Sequence, residues 1–280
     1  MRSILVTVDE TPSSMAARRL AVTLARRSGA AVHGVTGFEM GDLEQPEMAP
    51  LGGTEVAYAR LQQRERQARE RRAQVSALPA KFESSLAAEG LDAPCALMER
   101  DVRRELLRRA EASDLVVSGR DAEFHLQAAD DGVTPLVEHL ITDGSRPVIV
   151  TGPELHESGP VLIAYDGSTP AAKALQMATL LGVLADAEVH VLSMAHEIEE
   201  ARAVAARAQA FLRAHGIAPQ LDARFSTDDA AGSLTERARE IGARLLVMGA
   251  FGHRGWRELL FGSCTRRLFD SVPLPLFIYH

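Results

Sequence analysis

The sequence predicts an α/β protein built from two tandem domains, each with a five-stranded parallel sheet covered by helices. Three observations predict it. The chain repeats itself: "ILVTVDETP" at Ile4 to Pro12 returns as "VLIAYDGSTP" at Val161 to Pro170. The candidate strands are short apolar runs without clean alternation, as expected where both sheet faces are covered. Wider apolar spacings separate them: Leu20, Ala21, Leu24 and Ala25 share one helical face in the first half, and Leu175, Ala178 and Leu181 do so in the second. Alternating strands and helices imply right-handed crossovers and a doubly wound, Rossmann-like layer sandwich.

The elements follow in order. The first strand of each half ends in an aspartate, Asp9 and Asp166. "AAVHGV" around Val32 and His33 returns as "AEVHVL" around Val189 and His190, at the same 157-residue spacing as the first pair. The intervening helix therefore matches without a gap. "SDLVVSG", ending at Gly119, returns as "ARLLVMG", ending at Gly249. "RPVIV" at Arg146 to Val150 returns as "LPLFI" at Leu274 to Ile278. The later offsets are shorter because the first half holds extra residues in its middle. A period of this length marks a duplicated domain, not a solenoid. The expected domains are residues 1–152 and 159–280, joined by "TGPELHESGP", Thr151 to Pro160, with two glycines and two prolines.

Within the inserted part of the first half, "RLQQRERQARERRAQ" at Arg60 to Gln74 is rich in arginine. Leu61, Ala68, Val75 and Phe82 recur every seven residues, so the arginines belong to a solvated helix face. Pro79 is expected to break or kink that helix. Met40 to Thr54, with glycine, proline and acidic residues, reads as a mobile loop over the first half's crevice or as plain disorder, and plain mobility is the expectation.

Composition excludes several classes. The formal charge of −7 argues against a general nucleic-acid binder. Two cysteines, Cys95 and Cys264, are no disulfide framework and fit a reducing compartment. "MRSILVTVDE" reads straight into a strand, not a signal peptide, and Ala174 to Ala185 is too short and too polar to span a bilayer. A soluble, cytoplasmic chain with no membrane partner is expected. The nine histidines show no metal spacing.

The candidate site is "MGAFGHRGWRELLFGSCTRRL", Met248 to Leu268. In a doubly wound sheet the first and fourth strands flank the ligand crevice, so Asp166 should face this stretch across it. Glycines let backbone N–H groups approach an anion. Ser263, opening a helical segment, is a good N-cap, and a helix start favours phosphate. His253 and Arg254 could add charge. A carboxylate opposite suits ribose hydroxyls. The expected ligand is a nucleotide, with sugar on Asp166 and phosphates on the loop. The pattern Gly249-xx-Gly252-x9-Gly262-Ser263 is neither a Walker loop nor a dinucleotide fingerprint.

These residues carry a family resemblance. "GAFGHRGWRELLFGS" resembles the nucleotide-binding signature of the universal stress proteins, and "VLIAYDGSTPAAKAL" resembles their first strand and helix. The resemblance covers essentially the whole chain as two copies. It implies a five-stranded parallel α/β fold and binding of ATP or AMP, with Mg²⁺ arriving on ATP. It implies Ala164, Tyr165, Met194 and Met248 beside the base, Asp166 on the ribose, and Gly249, Gly252, Gly262, Ser263, Cys264 and Thr265 around phosphates and ribose. Met194, past the second strand, is bulkier than the small apolar residue expected there. The resemblance further implies a stress-response regulator with an unidentified protein partner. It also implies a pseudo-dimer within the chain, in which "PVIVTG" pairs with "PLFIYH", and a homodimer is compatible with it.

At the matching place the first half reads "SGRDAEFHLQAADDGVTPL". Gly119 and Gly132 stand where Gly249 and Gly262 do, but Ala122 replaces the second glycine and Val133 the serine. Asp121, Glu123, Asp130 and Asp131 would repel a triphosphate. A nucleotide-free first half is expected, in which Asp9 caps the following helix. No catalytic constellation is assembled, so the chain is expected not to be an enzyme beyond slow ATP hydrolysis. Two other classes stay open: a ligand-free interaction module, and an ATP-using enzyme of related fold. The second would need a serine- and glycine-rich loop after the first strand, which "DGSTPAAKAL" lacks.

Overall fold

The computed structural model describes residues 1–38, 54–122, 124, 134–225, 229–250, 268 and 274–280. The first half runs β1 (Ser3–Thr7), α1 (Pro12–Ser28), β2 (Ala31–Gly37), α2 (Thr54–Ala88), β3 (Cys95–Met98), α3 (Val102–Glu111), β4 (Leu115–Gly119), α4 (Pro135–Thr142) and β5 (Val148–Thr151). The second runs β6 (Val161–Ala164), α5 (Thr169–Leu180), β7 (Val189–Ala195), α6 (Ile198–Ala214), β8 (Gln220–Phe225), α7 (Ala230–Glu240), β9 (Leu245–Gly249) and β10 (Leu276–Tyr279).

The ten strands form one sheet in the order β3-β2-β1-β4-β5-β10-β9-β6-β7-β8. Pairing is parallel within each half. At the centre β5 and β10 pair antiparallel, with Leu276 opposite Val150, Phe277 opposite Ile149 and Ile278 opposite Val148. The expected pairing of the last strands therefore takes place within the chain, and it fuses the two sheets into one. Each half reverses its strand order between its first and fourth strands, which sets the two crevices at β1/β4 and β6/β9.

The lack of polar alternation in the strands follows from two cores. Ile4, Val6, Val161, Ile163 and Phe277 face α1, α2, α5 and α6. Leu5, Leu162, Leu246, Leu276 and Ile278 face α3, α4 and α7. Phe277, fully buried at the central seam, contributes about 2–3 kcal/mol by burial alone. Arg27, at the end of α1, adds a polar link between the halves: it donates to the Ala185 carbonyl and pairs with Asp186 at 3.4 Å.

Pro79 does not end its helix. α2 continues through it, because Val75, Leu78, Phe82 and Leu86 are buried on both sides of the proline. Burying that stripe outweighs one lost backbone hydrogen bond. Residues 69–74, just before the stripe, are exposed as expected, and Arg66 pairs with Glu70 on the same helix at 2.9 Å. The segment read as mobile, Met40 to Thr54, lies outside the described residues but for its last.

Candidate functional site

Both crevices are built on the same local device. The chain leaves the first strand of the half, turns, and starts a helix whose N-cap is a hydroxyl. In the first half Thr11 accepts from the Ser14 N–H at 3.2 Å. In the second half Ser168 accepts from the Ala171 N–H at 3.3 Å. The aspartates are not the caps. Asp9 braces its cap, accepting from the Thr11 N–H at 2.8 Å and the Thr11 hydroxyl at 2.6 Å. Asp166 accepts from the Ser168 N–H at 2.9 Å. The two carboxylates differ in exposure: Asp9 is half-buried and Asp166 is exposed.

Gly119 and Gly249 also match. A Cβ on Gly249 would lie 2.5 Å from the Pro170 carbonyl carbon, and one on Gly119 would lie 2.6 Å from the Ser14 nitrogen. In each half the N-terminus of the helix sits on the end of the fourth strand. This contact alone demands glycine, with or without a ligand.

The crevice floors differ. In the first half the floor is Thr7, Ser13, Ser14, Ser118 and Thr151, all buried. Their hydroxyls satisfy one another and the backbone. Thr7 Oγ1 donates to Ser118 Oγ at 2.8 Å, Ser14 Oγ to the Thr7 carbonyl at 3.0 Å, and Thr151 Oγ1 to the Ser13 carbonyl at 2.8 Å. At the corresponding places the second half has Ala164, Pro170, Ala171, Met248 and Tyr279. That floor is apolar, the surface a purine ring would take.

The described residues after β4 are packed inward as well. Ala122 and Phe124 are fully buried with Leu106, Leu136 and Val137. Thr134, the N-cap of α4, makes no side-chain cap; its hydroxyl donates to the Ala122 carbonyl instead. This corrects the sequence reading in one respect. The helix start is Thr134, not Val133, and the hydroxyl is present but turned to hold the loop. Of the four carboxylates expected to repel phosphate, Asp121 pairs with Arg120 at 3.4 Å; Glu123, Asp130 and Asp131 lie outside the described residues.

In the second half the structure brings Ala164, Tyr165, Asp166, Met194, Met248 and Gly249 to the carboxyl ends of β6, β7 and β9. Tyr165 is buried, its N–H donating to the Leu192 carbonyl at 2.9 Å and its carbonyl accepting from Ser193 at 2.7 Å. Met194 lies inside β7, not past it, half-buried beside the buried Met248 core. Gly252, His253, Gly262, Ser263, Cys264 and Thr265 lie outside the described residues. Among the described residues no cluster of three or more His, Cys, Asp or Glu could hold a metal. No described helix is long and apolar enough to cross a membrane.

One residue escaped the sequence reading. Arg207 of α6 lies over Gly167, where a Cβ would meet its Cζ at 3.1 Å. Gly167 has φ +77°, in the left-handed region. The matching pair in the first half is Glu10 and Lys81, which form an ion pair at 2.9 Å. Lys81 and Arg207 each stand five residues before the last buried leucine of their helix, Leu86 and Leu212. The first half neutralises its cation at the crevice mouth; the second leaves Arg207 exposed beside the Asp166 turn, with no carboxylate partner among the described residues. Only the repeat, aligned residue by residue, could have signalled it.

Comparison with known proteins adds a likeness. Residues 158–280 match the universal stress protein family. A universal stress protein of Synechocystis sp. is 26% identical over 168 residues, covering 59% of this chain and 58% of its own length. The matched region thus spans less than two thirds of that relative. A universal stress protein of Archaeoglobus fulgidus, 16% identical, covers 99% of this chain and 97% of its own with a TM-score of 0.68. A putative universal stress protein of Pseudomonas aeruginosa, 19% identical, covers 100% and 93% with a TM-score of 0.59. These two structures share the fold along the full chain.

Proposed function

We propose, from the match of residues 158–280 to the universal stress protein family, that the chain binds ATP or a related adenine nucleotide in its second half and acts as a stress-response regulator. The observation that carries this reading is the contrast of floors. Ala164, Met248 and Tyr279 offer an apolar bed at the strand ends, where the first half has a closed hydroxyl network. Exposed Asp166 would take the ribose hydroxyls, with Tyr165, Met194 and Met248 bordering the base. Gly249 to Thr265 would supply the phosphate contacts, and Mg²⁺ would arrive on the phosphates. The first half, its loop plugged by Ala122 and Phe124, serves as the structural partner across β5 and β10. Nucleotide binding, not turnover, is the working event in this reading.

The test is direct binding of ATP–Mg²⁺ to the full chain and to Gly252→Asp. The substitution places a carboxylate among the phosphates, and at least about a hundredfold loss of affinity is expected with an unchanged circular dichroism spectrum. Normal binding by the variant would move the site elsewhere.

A further inference from the structure

The single sheet has two edges, and they are finished differently. At β3 the edge is short, four residues. The Glu83 carboxylate of α2 accepts from the Cys95 N–H at 2.9 Å, and no large apolar side chain of that strand is exposed. At β8 the edge is six residues long. Leu221 and Phe225 are 40% and 61% exposed. Free edges with exposed apolar side chains invite another strand, and natural proteins usually guard them.

The strand reads "QLDARF". Alternate side chains share a face, so Leu221, Ala223 and Phe225 lie on the α6 side and Asp222 and Arg224 on the α7 side. The α7 side is confirmed by ion pairs: Arg237 with Asp222 at 3.0 Å, and Arg224 with Glu240 at 2.9 Å. A second copy laid antiparallel about a two-fold axis through Ala223 sets Asp222 opposite Arg224 of the partner, and Arg224 opposite its Asp222. On the other face the same register sets Leu221 opposite Phe225, twice. Both charge and apolar surface are therefore self-complementary in one register, the requirement of an isologous interface.

We propose that two copies of this chain dimerise by antiparallel pairing of β8 with β8, centred on Ala223, extending the sheet across both molecules. The seam at β5 and β10 is already occupied within the chain, and of the two outer edges β8 is the longer and the one with exposed large apolar side chains.

Light scattering after gel filtration, over a concentration series of the full chain, tests it together with two variants. Wild type is expected at twice 30.2 kDa at tens of micromolar. The double variant Leu221→Lys, Phe225→Lys is expected to raise the dissociation constant at least about tenfold with an unchanged circular dichroism spectrum. Ala223→Cys is expected to give a covalent dimer on mild oxidation that wild type does not give, because the two-fold sets the pair within disulfide reach. A wild type that stays monomeric overturns the proposal. So does a dimer that survives the lysines and leaves the Ala223→Cys variant uncrosslinked, which would locate its interface elsewhere.

Discussion

The crevices at β1/β4 and β6/β9 share a backbone plan and differ in what finishes it. Both carry an aspartate that braces a hydroxyl N-cap, and both need a glycine where the helix meets the fourth strand. These shared parts build the turn and serve the fold. The differences lie above them. Thr7, Ser118 and Thr151 close one floor with hydrogen bonds, where Ala164, Met248 and Tyr279 leave the other apolar. Glu10 neutralises Lys81 at one mouth, where Gly167 stands at the other and Arg207 has no carboxylate partner among the described residues. A motif residue present in both copies is thus poor evidence for a ligand. A residue changed between them is better evidence, because one fold has been held constant.

The largest expected effect that sharpens this comparison is in the closed crevice. Phe124→Ala should cost about 3–5 kcal/mol in urea unfolding, because a fully buried ring leaves a cavity. A negligible cost would mean that Phe124 does not plug the loop. Next come Gly119→Ala and Gly249→Ala. Each Cβ would press on the backbone of α1 or α5, and each should destabilise by about 1–3 kcal/mol. Similar costs in both halves would show a packing role. If Gly249→Ala lowered nucleotide affinity and left stability intact, the glycine would belong to the ligand instead. The smallest effect is at the mouths. Arg207→Ala should weaken ATP binding about three- to tenfold, whereas Lys81→Ala, removing an exposed ion pair, should leave it unchanged and alter stability by less than about 1 kcal/mol. Equal effects on binding would erase the distinction.

Much of the fold was legible because the chain states it twice. Runs such as "VLIA" and "LVV" are apolar throughout since both sheet faces are covered, and the repeat supplies their order. The pairing of the last strands was legible from their likeness, but the fusion into one sheet is a tertiary fact. Pro79 misled as a helix break, because local propensity was overridden by the stripe from Val75 to Leu86. At the site, Asp166 and Gly249 were visible as motif letters, yet their capping and packing duties were not. The hydroxyl network of Thr7, Ser13, Ser118 and Thr151 looked like ordinary strand and turn residues, for it exists only when β1, β4 and β5 lie side by side. Arg207 gave no signal of its own, since its meaning comes from Glu10 in the other copy.

The most direct test is a calorimetric titration of the full chain with ATP–Mg²⁺, read for stoichiometry. One site per chain, abolished by Gly252→Asp, is the expected result. Two sites per chain would contradict it, because the hydroxyl floor and the Phe124 plug would then fail to exclude the nucleotide. No site at all would contradict it as well, and would leave the apolar floor of the second half without its proposed occupant.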